Sequence, residues 1–223
     1  MVEVARTAAV EAHYGMEVGL VACCLGLQER KGEASQEGWD AVRKQWMGKT
    51  REDLALDLVL AAYRRFAGSK GERGASEMLL RRLVFEGGIR SINAVVDCLN
   101  MASAQTRVVL AAFDAEALDG EMRLDLTERE ERLVAIGGKD VRIPPRELVL
   151  RCGPGLLSWV GRRDGEASKV TEATRRIWLL GLRVEGVGEE LVERALMEAV
   201  HALGQCFVLR LETHQVAGEK SLA

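Results

Sequence analysis

A chain of 223 residues that is 48% apolar can bury a sizeable core, which excludes disorder as its general state. With 31 Lys and Arg against 34 Asp and Glu the formal net charge is −3, so polyanion binding through bulk charge is excluded as well. Contact with nucleic acid would have to come from a local cluster such as Arg162-Arg163 or Arg175-Arg176, and such pairs commonly just face solvent.

Val18 to Leu27 is a short apolar run of small and branched residues, the pattern of a strand buried on both faces at the centre of a sheet. It is too short to cross a bilayer, which takes ~20 apolar residues. After a polar loop from Lys31 to Gly38, apolar residues recur at helical spacing over Trp39 to Met47, Leu54 to Phe66 and Ala75 to Val84, giving a helix-rich N-terminal third. Ala67 to Gly74 interrupts them as a glycine-rich loop. Gly87-Gly88 ends the third helix, and Ser91 is placed to cap a new one that turns Ile92, Val95, Val96, Leu99 and Met101 inward and runs to about Ala104.

The spacing then changes to short strand-like pieces: Val108 to Phe113, Glu121 to Leu126, Glu131 to Ile136, Val141 to Ile143 and Leu148 to Arg151. Gly137-Gly138-Lys139-Asp140 reads as a hairpin turn, because glycine enters positive φ without steric cost, and Pro144-Pro145 stops the strand that follows. A long loop from Arg162 to Thr174 leads into an apolar strand around Ile177 to Leu182, and Gly188 to Leu203 is a helix with Leu191, Ala195, Leu196, Ala199, Val200 and Leu203 inward. Neither alternating βα units nor an all-strand rhythm is present, which places the chain in the α+β class as a single domain over 1–223. Residues 1–84 form its N-terminal strand and helices, 85–185 a central core, and 186–223 a closing helix and tail.

The five cysteines are an odd number, and Cys23-Cys24 are too close to share a tetrahedral metal, so they read as small core residues. His13, His201 and His214 show no ligand spacing, and no metal or cofactor is expected. No phosphate loop, nucleophile elbow or Cys/His protease signature is found. The start from Met1 to Arg6 lacks the features of a secretory signal, so the cytoplasm is the expected location, with no membrane association.

Two concentrations of polar residues remain. Asn93, Asp97 and Asn100 share one helical face beside an apolar one, which invites a ligand; alternatively Asn93 meets free first-turn amides while Asp97 and Asn100 cap neighbouring loops or pair with Arg90. In the long loop Glu166 could orient water or accept a hydroxyl proton, and Lys169, Arg162 and Arg163 could meet a phosphate. The alternative there is a solvated loop whose Thr171 and Thr174 cap turns.

Three stretches taken in order resemble one known module. Arg90-Ser-Ile-Asn-Ala-Val-Val-Asp-Cys-Leu-Asn100, then Ala112-Phe-Asp114 with Gly137-Gly-Lys139, then Lys169-Val-Thr-Glu-Ala-Thr174 are similar to the R-x-I-N-x-V-V-D-x-x-N, H-A-F-D, D-G-K and G-G-E-x-S-x-V-T-E-D-T motifs of the B3/B4 domain of the phenylalanyl-tRNA synthetase β chain. The likeness covers about 85–185, and the chain resembles the free-standing B3/4 domain proteins. It implies a B3/B4-type fold, a short-stranded and largely antiparallel sheet packed with helices. It also implies a pocket that hydrolyses a mischarged aminoacyl-tRNA ester, with tRNA as partner. By this resemblance Asn100 and Glu166 are the candidate catalytic residues; Asn93, Asp97, Ala111, Lys169, Thr171 and Leu180 line the substrate; and Arg162 and Arg163 meet RNA phosphate. Ala111 stands where the family has the histidine of H-A-F-D, Leu180 where it has the acid that reads a tyrosine hydroxyl, and Asp164 where G-G-E has its first glycine. A pocket so altered is expected to be more apolar, and the alternative function is non-catalytic binding of a small amino-acid-like or nucleoside ligand, or of a protein partner.

Overall fold

The computed structural model describes residues 1–68 and 73–212. Part of the expected glycine-rich loop, and the tail with His214, lie outside the described residues. In chain order the elements are β1 (Val2–Glu3), β2 (Ala5–Arg6), α1 (Ala8–Tyr14), β3 (Gly19–Arg30), α2 (Gln36–Trp46), α3 (Arg51–Leu56), α4 (Leu58–Ala67), α5 (Ala75–Phe85) and α6 (Ala94–Thr106). They continue with β4 (Leu110–Asp114), β5 (Met122–Leu126), β6 (Glu131–Ala135), β7 (Lys139–Ile143), β8 (Leu148–Cys152), β9 (Gly155–Trp159), β10 (Arg163–Asp164), β11 (Arg176–Arg183), α7 (Glu189–Cys206) and β12 (Phe207–Glu212).

The architecture is α+β, with two five-stranded sheets and a two-stranded hairpin. The first sheet runs β1-β3-β11-β4, with β12 also on β3; the second runs β10-β9-β8-β5-β2. All pairings are antiparallel except β2 with β5. The uninterrupted apolar run of β3 follows from its position: residues 19–27 are buried throughout, with β11 as one neighbour and β1 and β12 as others.

The period-two alternation of β11 decides what each face of the first sheet meets. Gly181 turns to the helices, where a Cβ would lie 2.5 Å from Val192 Cγ1 of α7, so only glycine lets helix and strand approach this closely. Leu180 and Leu182 turn the other way, toward the second sheet. α6 packs against α7, and Tyr63 of α4 donates its hydroxyl to the carbonyl of Leu182. One continuous core joins these helices to both sheets, and Leu133, Ile143 and Val149 form a smaller cluster under the β6–β7 hairpin.

Several expectations need correction. Ser91 does not cap the helix: Asn93 does, its Oδ1 accepting from Val96 N at 2.9 Å, while Ser91 Oγ donates to Asp97. The single helix expected over Leu54 to Phe66 is two, broken at Asp57, which ends α3 and caps α4 by accepting from Leu60 N at 3.0 Å. The loop from Arg162 to Thr174 contains β10 and a short helical turn at Glu166–Ser168, and the segment after α7 forms strand β12. β9 lies where no element was expected. No helix of the described residues is long and apolar enough to cross a membrane.

Candidate functional site

A cavity of about 90 Å³ lies between the two sheets. The first sheet supplies Leu20, Ala111, Phe113, Leu180 and Leu182, and Leu150 comes from β8 of the second. Register brings the key pair together, since Leu180 lies opposite Ala111 on β4 and Ala22 on β3. At roughly 10–15 Å³ for one water, the hollow has room for several, or for an amino-acid side chain. The β8–β9 ladder slips between Leu150 and Arg151, next to this hollow.

One wall is polar. Asp164 of β10 pairs across the ladder with Ser158 of β9, so both side chains leave the sheet on the cavity face. Asp164 is half-buried and lines the cavity. Burial pushes its pKa up. Ser158 itself is buried, with Oγ 3.2 Å from the carbonyl oxygen of Arg163, to which it donates.

The cavity adjoins a larger cleft of about 570 Å³. Ala75, Gly161, Arg162 and Arg163 line both, whereas Asp164, Ser158, Ala111 and Leu180 line only the inner one. Among the described residues the cleft gathers Arg73, Lys139, Arg142, Arg162 and Arg163 against one carboxylate, Asp140, which is 3.4 Å from Arg132. Trp159 also lines it, with the Arg162 guanidinium 4.9 Å over its ring and its own indole N–H donating to Glu147 at 3.0 Å. Arg162 Nη2 donates to the Ala67 carbonyl at 2.9 Å, which ties this arginine to the end of α4, and burial draws its pKa down.

The other expected site residues fall elsewhere. Glu166 accepts from Gly137 N at 2.8 Å and from Lys169, so it fastens the β6–β7 turn to the loop after β10; both partners hold its carboxyl below the ordinary value, Lys169 foremost. Asn93 caps α6 and donates from Nδ2 to Val170 O at 3.4 Å. Asp97 is buried and accepts from Ser91 and from Ile92 N at 3.0 Å, so it secures the approach to the helix. Thr171 accepts from Ala173 N, and its own N–H donates to Thr174 Oγ1, whose hydroxyl donates to Asp114 Oδ2 at 2.6 Å. Asn93 and Thr174 line a separate hollow of about 240 Å³ beside Arg30 and Phe207. Asn100 and Glu166 line none of these three hollows and share none.

The structure thus unites Ala111, Leu180, Arg162 and Arg163, and adds Asp164, Ser158, Arg73, Lys139, Arg142 and Trp159, which sequence reasoning did not assign to a site. The departure at Asp164, an acid in place of a motif glycine, was the available signal.

The family model described as the B3/4 domain matches residues 61–203. The chain belongs to the B3/4 domain family. The sheets, the cavity and the basic cleft of this B3/4 protein all draw on the matched segment. Curated relatives of the same region are phenylalanine–tRNA ligase beta subunits. That of Tropheryma whipplei (strain Twist) is 34% identical over 103 residues, 46% of this chain and 11% of the relative. That of Shewanella oneidensis (strain MR-1) is 28% identical over 165 residues, 70% and 21%. That of Gloeobacter violaceus is 30% identical over 151 residues, 57% and 19%. The alignment thus spans at most about a fifth of each of these relatives. An N-terminal fragment of the phenylalanyl-tRNA synthetase beta subunit from Pyrococcus horikoshii superposes with a TM-score of 0.43 at 17% identity, covering 52% of this chain and 42% of that one.

Proposed function

We propose that this B3/4 protein receives the aminoacylated 3′ end of a tRNA and hydrolyses a mischarged ester there. The observation that carries the reading is a pair of neighbouring recesses, a largely apolar hollow of about 90 Å³ and a basic cleft of about 570 Å³, which share Ala75, Gly161, Arg162 and Arg163 as lining. An aminoacyl ester has the same division: an amino-acid side chain at one end, a base and phosphates at the other, and the scissile carbonyl between them. With the side chain in the hollow, the phosphates meet Lys139 and Arg163, and the carbonyl lies beside the arginines common to both spaces. Water from the open cleft adds to the carbonyl carbon, the carbonyl oxygen takes the negative charge near a guanidinium, and the ester C–O bond breaks. The ribose oxygen leaves with a proton, and free amino acid and tRNA are the products.

A second reading, binding of an amino-acid-like or nucleoside ligand without turnover, is favoured by one observation. Glu166 is held by Lys169 and Gly137, and neither it nor Asn100 lines the recess, which leaves the hydrolytic reading without a side chain assigned to activate water. Release of labelled amino acid from a panel of mischarged tRNAs separates the two. Release above buffer for at least one pair, reduced by R163A, is the expected result. No release from any pair, together with thermal stabilisation by a free amino acid or nucleoside but not by tRNA, establishes the second reading instead.

A further inference from the structure

Resting on the hydrolytic reading above, we propose that Asp164 is the catalytic general base. Its carboxylate takes a proton from the attacking water and returns it to the ribose oxygen as that oxygen leaves. The role is the one that Asn100 and Glu166 leave unfilled, since neither lines the hollow or the cleft.

Elimination within the two spaces points to this side chain. Among the described residues neither space is lined by a histidine, a cysteine or a tyrosine, and the carboxylates are Asp164 in the hollow and Asp140 in the cleft. Asp140 is exposed, lies 3.4 Å from Arg132 on the β6–β7 hairpin, and stands among the cations that would hold phosphate. Asp164 has no lysine or arginine within ion-pair distance among the described residues, so its carboxylate is not already committed to a cation. A carboxyl kept half-buried without a counter-ion is costly for the fold alone, and such groups concentrate at functional sites.

Position along the chain sets what the carboxyl can reach. Arg162, Arg163 and Asp164 are consecutive; the two arginines line both spaces and Asp164 the hollow alone. The chain therefore crosses the shared rim between Arg163 and Asp164, and the carboxyl stands just inside it. Ser158 holds it there, because its Oγ donates to the Arg163 carbonyl at 3.2 Å and its backbone pairs with Asp164. With the ester carbonyl beside the guanidinium groups, the attacking water lies between that carbonyl and the carboxyl, which must come within roughly 2.6–3.2 Å of it. The water oxygen bonds to the carbonyl carbon as its proton passes to Asp164, and the carbonyl oxygen takes the negative charge beside a guanidinium. When the carbonyl re-forms, the ester C–O bond breaks and the proton moves from Asp164 to the ribose oxygen, which restores the carboxylate.

Burial raises the Asp164 pKa, and a raised pKa strengthens its carboxylate as a base. The charged groups that share the hollow are Arg162 and Arg163; β3, β4, β8, β11 and α5 turn only apolar side chains to it, and β9 adds Ser158. Protonated Asp164 cannot accept from water, so the rate should fall as pH drops through its pKa, which lies above the ordinary 3.8.

The test uses the full chain and a mischarged tRNA that the wild type hydrolyses, under single turnover with the buffer rate subtracted. D164N, nearly isosteric, is expected to lower the rate constant by about 100-fold or more and to lose the acid limb of the pH profile. Its dissociation constant for the matching non-hydrolysable 3′-aminoacylamido-adenosine should change by less than about 3-fold, and D164E should recover part of the rate. A D164N rate within about 3-fold of the wild type overturns the assignment and leaves hydrolysis standing, as does a loss of rate that follows an equal loss of analogue binding. Should D164N not fold, a wild-type rate that merely tracks hydroxide concentration, without an acid limb, overturns it. If the wild type releases amino acid from no mischarged tRNA, the hydrolytic reading fails and this assignment fails with it.

Discussion

Removing one cation from the cleft should change how salt weakens RNA binding, by an amount that the ion pairs already present fix. Arg73 Nε is 3.4 Å from Glu77, Arg142 Nη1 3.6 Å from Glu130 and Arg162 Nε 3.8 Å from Glu147, so three of the five cations have carboxylates close by. Among the described residues Lys139 and Arg163 pair with no carboxylate, and these two are the cations available to displace counterions from phosphate. Each phosphate neutralised on a single strand contributes about −0.7 to the slope of log K against log salt concentration, so two give about −1.4. Between about 50 and 200 mM salt that is about a 7-fold loss of affinity for the wild type, and about 2.6-fold for R163A or K139A, whose slope is about −0.7. Fluorescence anisotropy of a labelled single-stranded tRNA 3′-end oligonucleotide across that range measures both, with R175A, at the separate hollow beside Arg30, as the control. A wild-type slope near zero, or equal slopes for the wild type, R163A and K139A, refutes the assignment of this cleft to phosphate.

Gly181→Ala places a Cβ 2.5 Å from Val192 Cγ1 and should destabilise the fold by about 1–3 kcal/mol in urea unfolding; a loss under about 0.5 kcal/mol would mean that α7 is not seated on β11 as described. Glu166→Gln should lower the melting temperature at pH 7 without altering ligand binding. A carboxyl whose folded pKa is depressed stabilises above its unfolded value and loses that contribution as pH falls through the folded one, so the gap between variant and wild type should narrow below the ordinary value of 4.5. A gap that widens in acid contradicts the Lys169 and Gly137 contacts. All five cysteines are buried, and burial lifts the Cys23 and Cys24 thiols to about 11, so a thiol reagent at pH 8 should label none in the native protein and all five after denaturation. Rapid native labelling would contradict that burial.

How much was legible in the sequence depends on whether a residue's role is local. The buried run of β3, a hairpin at Gly137-Gly138 and the helix through Val95 and Met101 follow from periodicity and turn chemistry, and the structure has all three, although Lys139 and Asp140 already pair in β7 rather than forming the turn. Ser91 and Asn93 are both good caps, and choosing between them needed Asp97, six residues on, to engage the serine hydroxyl. The break at Asp57 was hidden because Leu54 and Leu60 are buried on helical spacing across it, while Leu56 and Leu58 are exposed. β9 and β10 form through pairing with each other and β8, which local composition does not encode. For the site, the resemblance named Ala111 and Leu180, and both line one hollow because β4 and β11 pair with these two residues opposite each other. It gave no warning that Asn100 and Glu166 would lie outside that hollow. A helical face fixes direction about one axis, not which cavity lies beyond it, and Glu166 has its partners across the chain in the β6–β7 turn.

The net charge of −3 and the basic cleft are compatible, and the contrast between them has a physical consequence. At physiological ionic strength charges are screened beyond about 8 Å, so a phosphate inside the cleft responds to Arg73, Lys139, Arg142, Arg162 and Arg163 rather than to the chain's average. Outside it, the same average offers a polyanion no general attraction. Under the proposed function, binding energy would come from the cleft rather than from the rest of the surface. The body of a folded RNA would then gain little from the rest of the surface, whereas a protruding single-stranded end would reach the cations of the cleft. Selectivity for an end over a duplex can thus arise from where the positive charge is confined, without any base-specific contact.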